Sequence, residues 1–209
     1  MQNKPIFITG IGTSVGKTIV SAVLCEQLKA DYWKPVQSGD LDHSDSDQVR
    51  KLISNTQTVI HPETFRLDMA ASPHQSAKAQ GIKITPELFQ IPSSDRQLLI
   101  EGAGGLFVPL SSGFLMSDLI RQLDAEVVLV ARDYLGCINH TLLSLLALKN
   151  LGIPLKHLVL NGSFNPDTKD IILEHLTSGS SWSELPEFSA LNRLSITTSP
   201  TQLRTLTTN

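Results

Sequence analysis

The residues best suited to chemistry lie in one short run, Gly10-Ile11-Gly12-Thr13-Ser14-Val15-Gly16-Lys17-Thr18. Small residues let a chain curl until its backbone N–H groups face a common point. A Gly-Lys-Thr that opens a helix adds the partial positive charge of the helix N-terminus. Such a loop holds phosphate groups. Thr13, Ser14, Val15, Gly16, Lys17, Thr18 and Ile19 are therefore expected to bind a nucleotide, with Lys17 reaching the β- and γ-phosphates and the Thr18 hydroxyl holding Mg²⁺. The loop departs from the strict phosphate-loop pattern in that five residues, not four, separate Gly10 from Gly16, and Ile11 stands in place of the usual first glycine. The plain alternative is a glycine-rich turn before an ordinary helix. It leaves unexplained why Gly-Lys-Thr follows directly on a β-type run.

Three further motifs and one acidic stretch carry chemistry. Lys34-Pro35-Val36-Gln37-Ser38-Gly39 follows a second β-type run. In a parallel sheet the C-terminal strand ends line the ligand crevice, so Lys34 would bring a second positive charge to the phosphates; otherwise it is a surface lysine beside a turn. Glu101-Gly102-Ala103-Gly104-Gly105 follows a third run. The Glu101 carboxylate is placed to ligate Mg²⁺, the glycines permit close backbone approach to a ligand, and Gly102, Ala103 and Gly104 are expected to bind the nucleotide with Glu101. In the acidic stretch Asp40, Asp42, Asp45 and Asp47, the expected additional metal ligand is Asp47 rather than Asp45. Leu135-Gly136-Cys137-Ile138-Asn139-His140 opens a helix after a fourth run, and its backbone N–H groups are suited to a substrate carboxylate. The six histidines show no metal spacing. Cys25 and Cys137 match no metal or redox spacing and fall in apolar helical patterns, as buried inert thiols do.

The elements that must position these groups are short apolar runs alternating with helical stretches. Strands are expected at Ile6 to Thr9, Tyr32 to Val36, Gln97 to Glu101, Val127 to Ala131 and Leu158 to Leu160. Their continuous apolar character indicates cover on both faces. Helices are expected at Lys17 to Lys29, Met116 to Leu123 and Ile138 to Leu151, with further helix starts near Ser46, Ser72-Pro73 and Thr85-Pro86-Glu87 and a short helix in the tail from Thr197 to Asn209. Strand, helix, strand at this spacing predicts an α/β fold with a mostly parallel sheet, helices on both faces and right-handed crossovers. The 209 residues, without a visible boundary, fit one such domain over residues 1–209. With 41% hydrophobic and 18% charged residues, a globular chain is expected. A net charge of -3 with no basic run gives nucleic acid no electrostatic footprint. No apolar stretch approaches a membrane span, and no charged head with an apolar core precedes the first strand, so a cytoplasmic setting is expected.

Taken together, the four segments resemble the dethiobiotin synthetase family. Its pattern is Gly-Thr-Asp-Thr-x-Val-Gly-Lys-Thr, then Lys-Pro-Val-x-Ser-Gly, Glu-Gly-Ala-Gly-Gly and Leu-Gly-x-Ile-Asn-His. Here Gly10 to Thr18, Lys34 to Gly39, Glu101 to Gly105 and Leu135 to His140 supply these in order, and Ala71-Ser72-Pro73-His74 looks like the family's Ser-Pro segment. The resemblance implies a single-domain P-loop NTPase fold and a homodimer with the substrate at the subunit interface. It implies a reaction in which 7,8-diaminononanoate, CO2 and ATP, with Mg²⁺, give dethiobiotin, ADP and phosphate through a carbamate and a carbamic-phosphoric anhydride. By the same resemblance Lys17 and Lys34 serve catalysis. Ser38 contacts the carbamate or amine end, and Gly136, Cys137, Ile138 and Asn139 hold the distant substrate carboxylate. Asn161 contacts adenine with Gly162 beside it, and Pro186, Glu187 and Phe188 line the base. Two departures stand out: Gly12 replaces the family's Asp in the loop, and the match is poor after about Asn165.

Other readings are open at this point. A partitioning or cluster-loading ATPase switch carries an additional lysine early in its phosphate loop, and positions 10–15 contain none. An amide-forming ligase on a larger acid carries a glutamine-hydrolysing domain, for which there is no room. A nucleotide-binding module without turnover shares the same loop.

Overall fold

The alternating pattern resolves, in a computed structural model that describes residues 4–176 and 180–201, into a seven-stranded parallel sheet. Its first half holds β1 (Ile6–Gly10), α1 (Lys17–Leu28), β2 (Asp31–Trp33), β3 (Val36–Ser38), α2 (Asp45–Leu52), β4 (Ile60–His61), β5 (Phe65–Leu67) and α3 (Pro73–Ala79). Its second half holds β6 (Leu98–Gly105), β7 (Pro109–Ser111), β8 (Phe114–Leu115), α4 (Met116–Gln122), β9 (Glu126–Ala131), α5 (Cys137–Asn150), β10 (Leu155–Asn161), α6 (Pro166–Glu174), β11 (Ser181–Leu185) and α7 (Arg193–Thr197). The strand order is β11-β10-β9-β1-β6-β2-β4, so the strand that feeds the phosphate loop sits between β9 and β6. Beyond Thr201 the expected tail helix lies outside the described residues; its first residue, Thr197, ends α7.

Side chains of a strand alternate between the two faces of a sheet, and the core divides accordingly. Ile6, Ile8, Tyr32, Leu99, Val128, Val130 and Val159 pack with Val20, Val23 and Leu24 of α1, Val49 of α2 and Ile196 of α7. Phe7, Trp33, Ile100, Leu129, Leu158 and Leu160 pack on the other face with Leu119 and Ile120 of α4, Leu145 and Leu148 of α5 and Ile172 of α6. Among the described residues no helix is long and apolar enough to cross a membrane.

Several expected bounds shift. The run Tyr32 to Val36 is two strands, because Pro35 has no N–H to pair and the chain turns at Lys34-Pro35; β3 then pairs with β5 in a separate two-stranded sheet. β6 runs on through Gly105, so Glu101 sits mid-strand, level with Ile8 of β1. The start at Thr85-Pro86 yields a single 3₁₀ turn, Pro86–Leu88. β11 was not expected: Ser181-Trp182-Ser183-Glu184-Leu185 is a polar edge strand with one buried residue.

Candidate active site

The functional side chains come from the loop after β1, the first turns of α1 and α2, the turn after β2 and the middle of β6. β1 delivers the loop 11–16 at its C-terminal end, and the Ile11 N–H still donates to the Val130 carbonyl at 3.0 Å. Gly16 caps α1 in a left-handed conformation (φ 94°), and a Cβ there would strike the Asn161 amide. That amide donates to the Val15 carbonyl at 2.9 Å. The loop is thus braced from the last residue of β10, and glycine is required where the brace passes.

A cleft of about 770 Å³ opens above these strand ends. Thr13, Ser14, Gly16, Lys17, Thr18 and Ile19 line it from the loop and α1. Lys34, Gln37, Ser38 and Asp45 face them, Glu101, Ala103, Gly104 and Arg132 form the floor, and Ala71, Ser72 and Pro73 close one side. Residues expected at one site from three separate segments, the phosphate loop, Lys34 to Gly39 and Glu101 to Gly105, therefore meet. Val15 lies buried beneath the cleft, and Gly102 enters through its carbonyl, which accepts from Lys34 Nζ at 3.1 Å.

The charges are arranged as a compact cluster. Lys34 Nζ lies 2.6 Å from Asp45 Oδ2 and 3.3 Å from Glu101 Oε1, and with Gly102 O these partners take all three of its protons. Burial pulls the Lys34 pKa down, but the Glu101 and Asp45 charges outweigh it, so it rests above the ordinary lysine value. Burial likewise raises Asp45, yet Lys34 and the Thr18 hydroxyl hold its carboxyl below the usual value. Lys17, with Nζ 3.2 Å from the Gly12 carbonyl, is lowered by burial and then by the Lys34 charge. A buried lysine beside a second ammonium invites a polyanion.

The Thr18 hydroxyl sits 2.9 Å from Glu101 Oε1 and 3.1 Å from Asp45 Oδ1. One hydroxyl and two carboxylates are hard oxygen donors of the kind Mg²⁺ takes. The expectation of Asp47 does not match this geometry. Ser44 caps α2, its Oγ accepting from the Asp47 N–H at 3.2 Å and lying 2.9 Å from Asp47 Oδ2, while Arg50 Nη1 pairs with Asp47 Oδ1 at 2.7 Å. Asp47 is thus the N3 residue of a helix cap, turned to solvent, and of the two it is Asp45 that lines the cleft, with Asp40 and Glu101. The spacing Ser44-x-x-Asp47 carries that signal, since Ser followed three residues on by an acid is how a helix start is built.

The remaining expected contacts fall at the margins. Ser38 Oγ is buried and without a hydrogen-bond partner among the described residues. Asn161 is spent on the loop brace through its amide nitrogen, and the Gly162 N–H donates to the Leu185 carbonyl at 2.7 Å. Pro186 and Glu187 are exposed, and Phe188 packs against the α1 side of the core. Glu187 reaches the cleft only through Arg132, at 2.7 Å. Gly136, Cys137, Ile138 and Asn139 do not line the cleft: Cys137 is buried, Ile138 packs partly buried against the core, and Gly136 and Asn139 are exposed. Cys25 and Cys137 are both buried, and burial raises both thiols. A second cleft of about 470 Å³ lies behind the loop, where Tyr134 OH and His140 Nδ1 meet at 2.7 Å near Gly12. Sequence reasoning weighed Asp45 and chose Asp47 over it, and it missed Arg132, Ser21 and Tyr32. The last two touch Glu101 from positions that read only as core.

The family model described as an AAA domain matches residues 4–195. An ATP-dependent dethiobiotin synthetase of Christiangramia forsetii is 50% identical over 169 residues, 81% of either chain. Those of Cytophaga hutchinsonii and Brucella ovis are 48% and 45% identical over 82% of this chain and 84% and 81% of theirs. Among solved structures, a ParA family ATPase from Chlorobium tepidum TLS has a TM-score of 0.56 at 15% identity over 90% of this chain and 86% of that one. The septum site-determining protein MinD of Pyrococcus horikoshii OT3, complexed with Mg-ADP, gives 0.53 at 16% over 88% and 82%. Those two likenesses show the fold alone. Identities of 45–50% across four-fifths of the chain, joined to a phosphate loop, a Lys-Pro turn and a Glu-Gly strand that share one cleft, place this chain in the dethiobiotin synthetase family.

Proposed function

We propose that the chain is an ATP-dependent cyclo-ligase that converts 7,8-diaminononanoate and CO2 to dethiobiotin, a step of biotin synthesis, in the cytoplasm. One observation supports this reading above the others: Lys17, Lys34, Asp45, Glu101 and the unpartnered Ser38 hydroxyl line a single cleft beside the phosphate loop. The reaction must bring a carbamate anion against a triphosphate. A site with two buried ammonium groups offsets that repulsion as the γ-phosphoryl group transfers.

In the first step one substrate amine attacks CO2, loses a proton and becomes a carbamate. Ser38 Oγ, shielded beside the cleft and without a partner among the described residues, is assigned to that end. A carbamate oxygen then attacks the γ-phosphorus and the bond to ADP breaks. The loop N–H groups and Lys17 hold the phosphates, while Lys34 faces the transferring group. The second amine attacks the carbonyl carbon, the ureido ring closes and phosphate leaves. Thr18, Asp45 and Glu101 would hold Mg²⁺, which, when bound, neutralises phosphate charge.

We further infer a homodimer. α5 presents Leu143 and Leu146, each more than half exposed, beside the fully exposed Leu135 and exposed Tyr134. An apolar surface of this kind at the residues expected to hold the substrate's carboxylate fits a second copy completing the site. Asn161, Gly162 and Pro186 to Phe188 remain the proposed surroundings of the base.

The test is to incubate the chain with the diamine, labelled bicarbonate, MgCl2 and ATP and look for a labelled cyclic urea. A labelled product made only with all components supports the reading. ATP hydrolysis indifferent to the diamine favours a switch instead, and binding without turnover favours a non-enzymatic module.

A further inference from the structure

The two oxygens of Glu101 face different surroundings. Oε1 faces the cleft and receives Thr18 and Lys34. Oε2 turns inward, 2.9 Å from the Tyr32 hydroxyl and 2.7 Å from Ser21 Oγ. All of these side chains except Thr18 are buried. Tyr32 pairs in register with Leu99, so by the alternation of a strand Tyr32, Leu99 and Glu101 all face α1, where Ser21 stands one turn after Thr18. A carboxylate has about four lone-pair directions: Tyr32 and Ser21 fill those of Oε2, while Thr18 and Lys34 stand at those that Oε1 would offer a metal.

Ser21 has one proton and two acceptors, Glu101 Oε2 and the Lys17 carbonyl at 2.9 Å. The Tyr32 hydroxyl has Glu101 as its only hydrogen-bond partner among the described residues. A phenylalanine would fill the same core volume, so packing alone does not call for the hydroxyl.

We propose that Tyr32, with Ser21 beside it, is a positioning residue for metal binding: the two hydroxyls fix Oε2 and thereby keep Oε1 turned to the cleft. The inference rests on the reading of Glu101 as a metal ligand. Groups that orient a metal ligand from behind commonly change metal affinity by about 10- to 100-fold, and a carboxylate free to rotate about its last bond presents its ligating oxygen only part of the time.

The test measures Mn²⁺ binding to the full chain with ADP by the electron paramagnetic resonance of free Mn²⁺, alongside ADP binding without metal. Tyr32→Phe is expected to weaken Mn²⁺ about tenfold while metal-free ADP affinity stays within about twofold. In a Glu101→Gln background the same change should cost nothing more. Ser21→Ala should weaken Mn²⁺ in the same sense and serves if Tyr32→Phe does not fold. Parent-like Mn²⁺ affinity in both hydroxyl variants, with Glu101→Gln weakened, overturns the positioning role and leaves the metal reading intact. Equal losses of Mn²⁺ and metal-free ADP affinity overturn it too, as a purely structural effect. Parent-like Mn²⁺ affinity in Glu101→Gln overturns the metal reading and this inference with it.

Discussion

Lys34 and Asp45 form a 2.6 Å ion pair at the mouth of the cleft, with the lysine almost wholly buried and the aspartate half-covered. The pair ties the first turn of α2 to the end of β2. It also decides which of two aspartates, spaced by a single residue, enters the site.

Asp45→Asn is expected to lower kcat about 100-fold, since it removes a carboxylate charge from the proposed metal site and one of the two carboxylates that pair with Lys34. Asp47→Asn should leave kcat within about twofold and cost roughly 0.5–1 kcal/mol of stability as a weakened cap. Steady-state rates beside urea denaturation check both. The reverse ranking would return Asp47 to the site.

Lys34→Ala leaves the buried Glu101 and the partly buried Asp45 without their cation. Breaking such a pair costs about 3 kcal/mol or more, and Mg²⁺ should restore part of that loss, as denaturation with and without the metal will read. The expected kinetic effect is a fall in kcat of about 100-fold or more with a smaller change in nucleotide Kd. An unchanged kcat refutes the role.

Gly16→Ala places a methyl group against the Asn161 amide at a positive φ. The strained backbone alone costs roughly 1–3 kcal/mol, and nucleotide affinity should fall at least about tenfold as the loop is displaced. Calorimetric ADP titration measures it. Asn161→Ala should relieve the clash yet still lose affinity, because the Val15 carbonyl loses its donor.

His157 links stability to pH. Its imidazole is buried between Ser181 Oγ at 2.7 Å and Ser183 Oγ at 2.8 Å, and burial lowers its pKa from 6.5 to about 4. Between those values the unfolded chain binds a proton that the native chain does not. Stability therefore falls as pH drops through that window and levels off below it, by roughly 3 kcal/mol in all. Thermal unfolding from pH 7 to 4 should show a shallower slope in His157→Gln than in the parent.

Much of the sheet was legible because its strands are buried on both faces and read as unbroken apolar runs: β1, β6 and β9 lie within a few residues of their expected bounds. The edge strand β11 carries Ser, Trp, Ser and Glu with little periodicity, and its pairing with β10 is a tertiary fact. In the cleft, Lys17, Lys34 and Glu101 were legible from motifs at strand ends, and the structure brings them together. Asp45 was not, since the choice between it and Asp47 turns on which residue caps α2. Tyr32 was not, because a tyrosine in an apolar run looks like core until its hydroxyl is seen to meet a carboxylate from a strand about seventy residues on.

The central strand has a consequence for the order in which the molecule can be built. β1 is made first, but its neighbours are β6 and β9, with Ile6 beside Leu99 and Glu126, and the brace for its loop is Asn161. Contacts so distant along the chain close slowly. A nascent chain that has emerged only as far as the residues before β6 therefore holds a bare β1 with both of its edges open. Nascent chains of increasing length should acquire protease resistance in one late step, after β10 has emerged, rather than strand by strand.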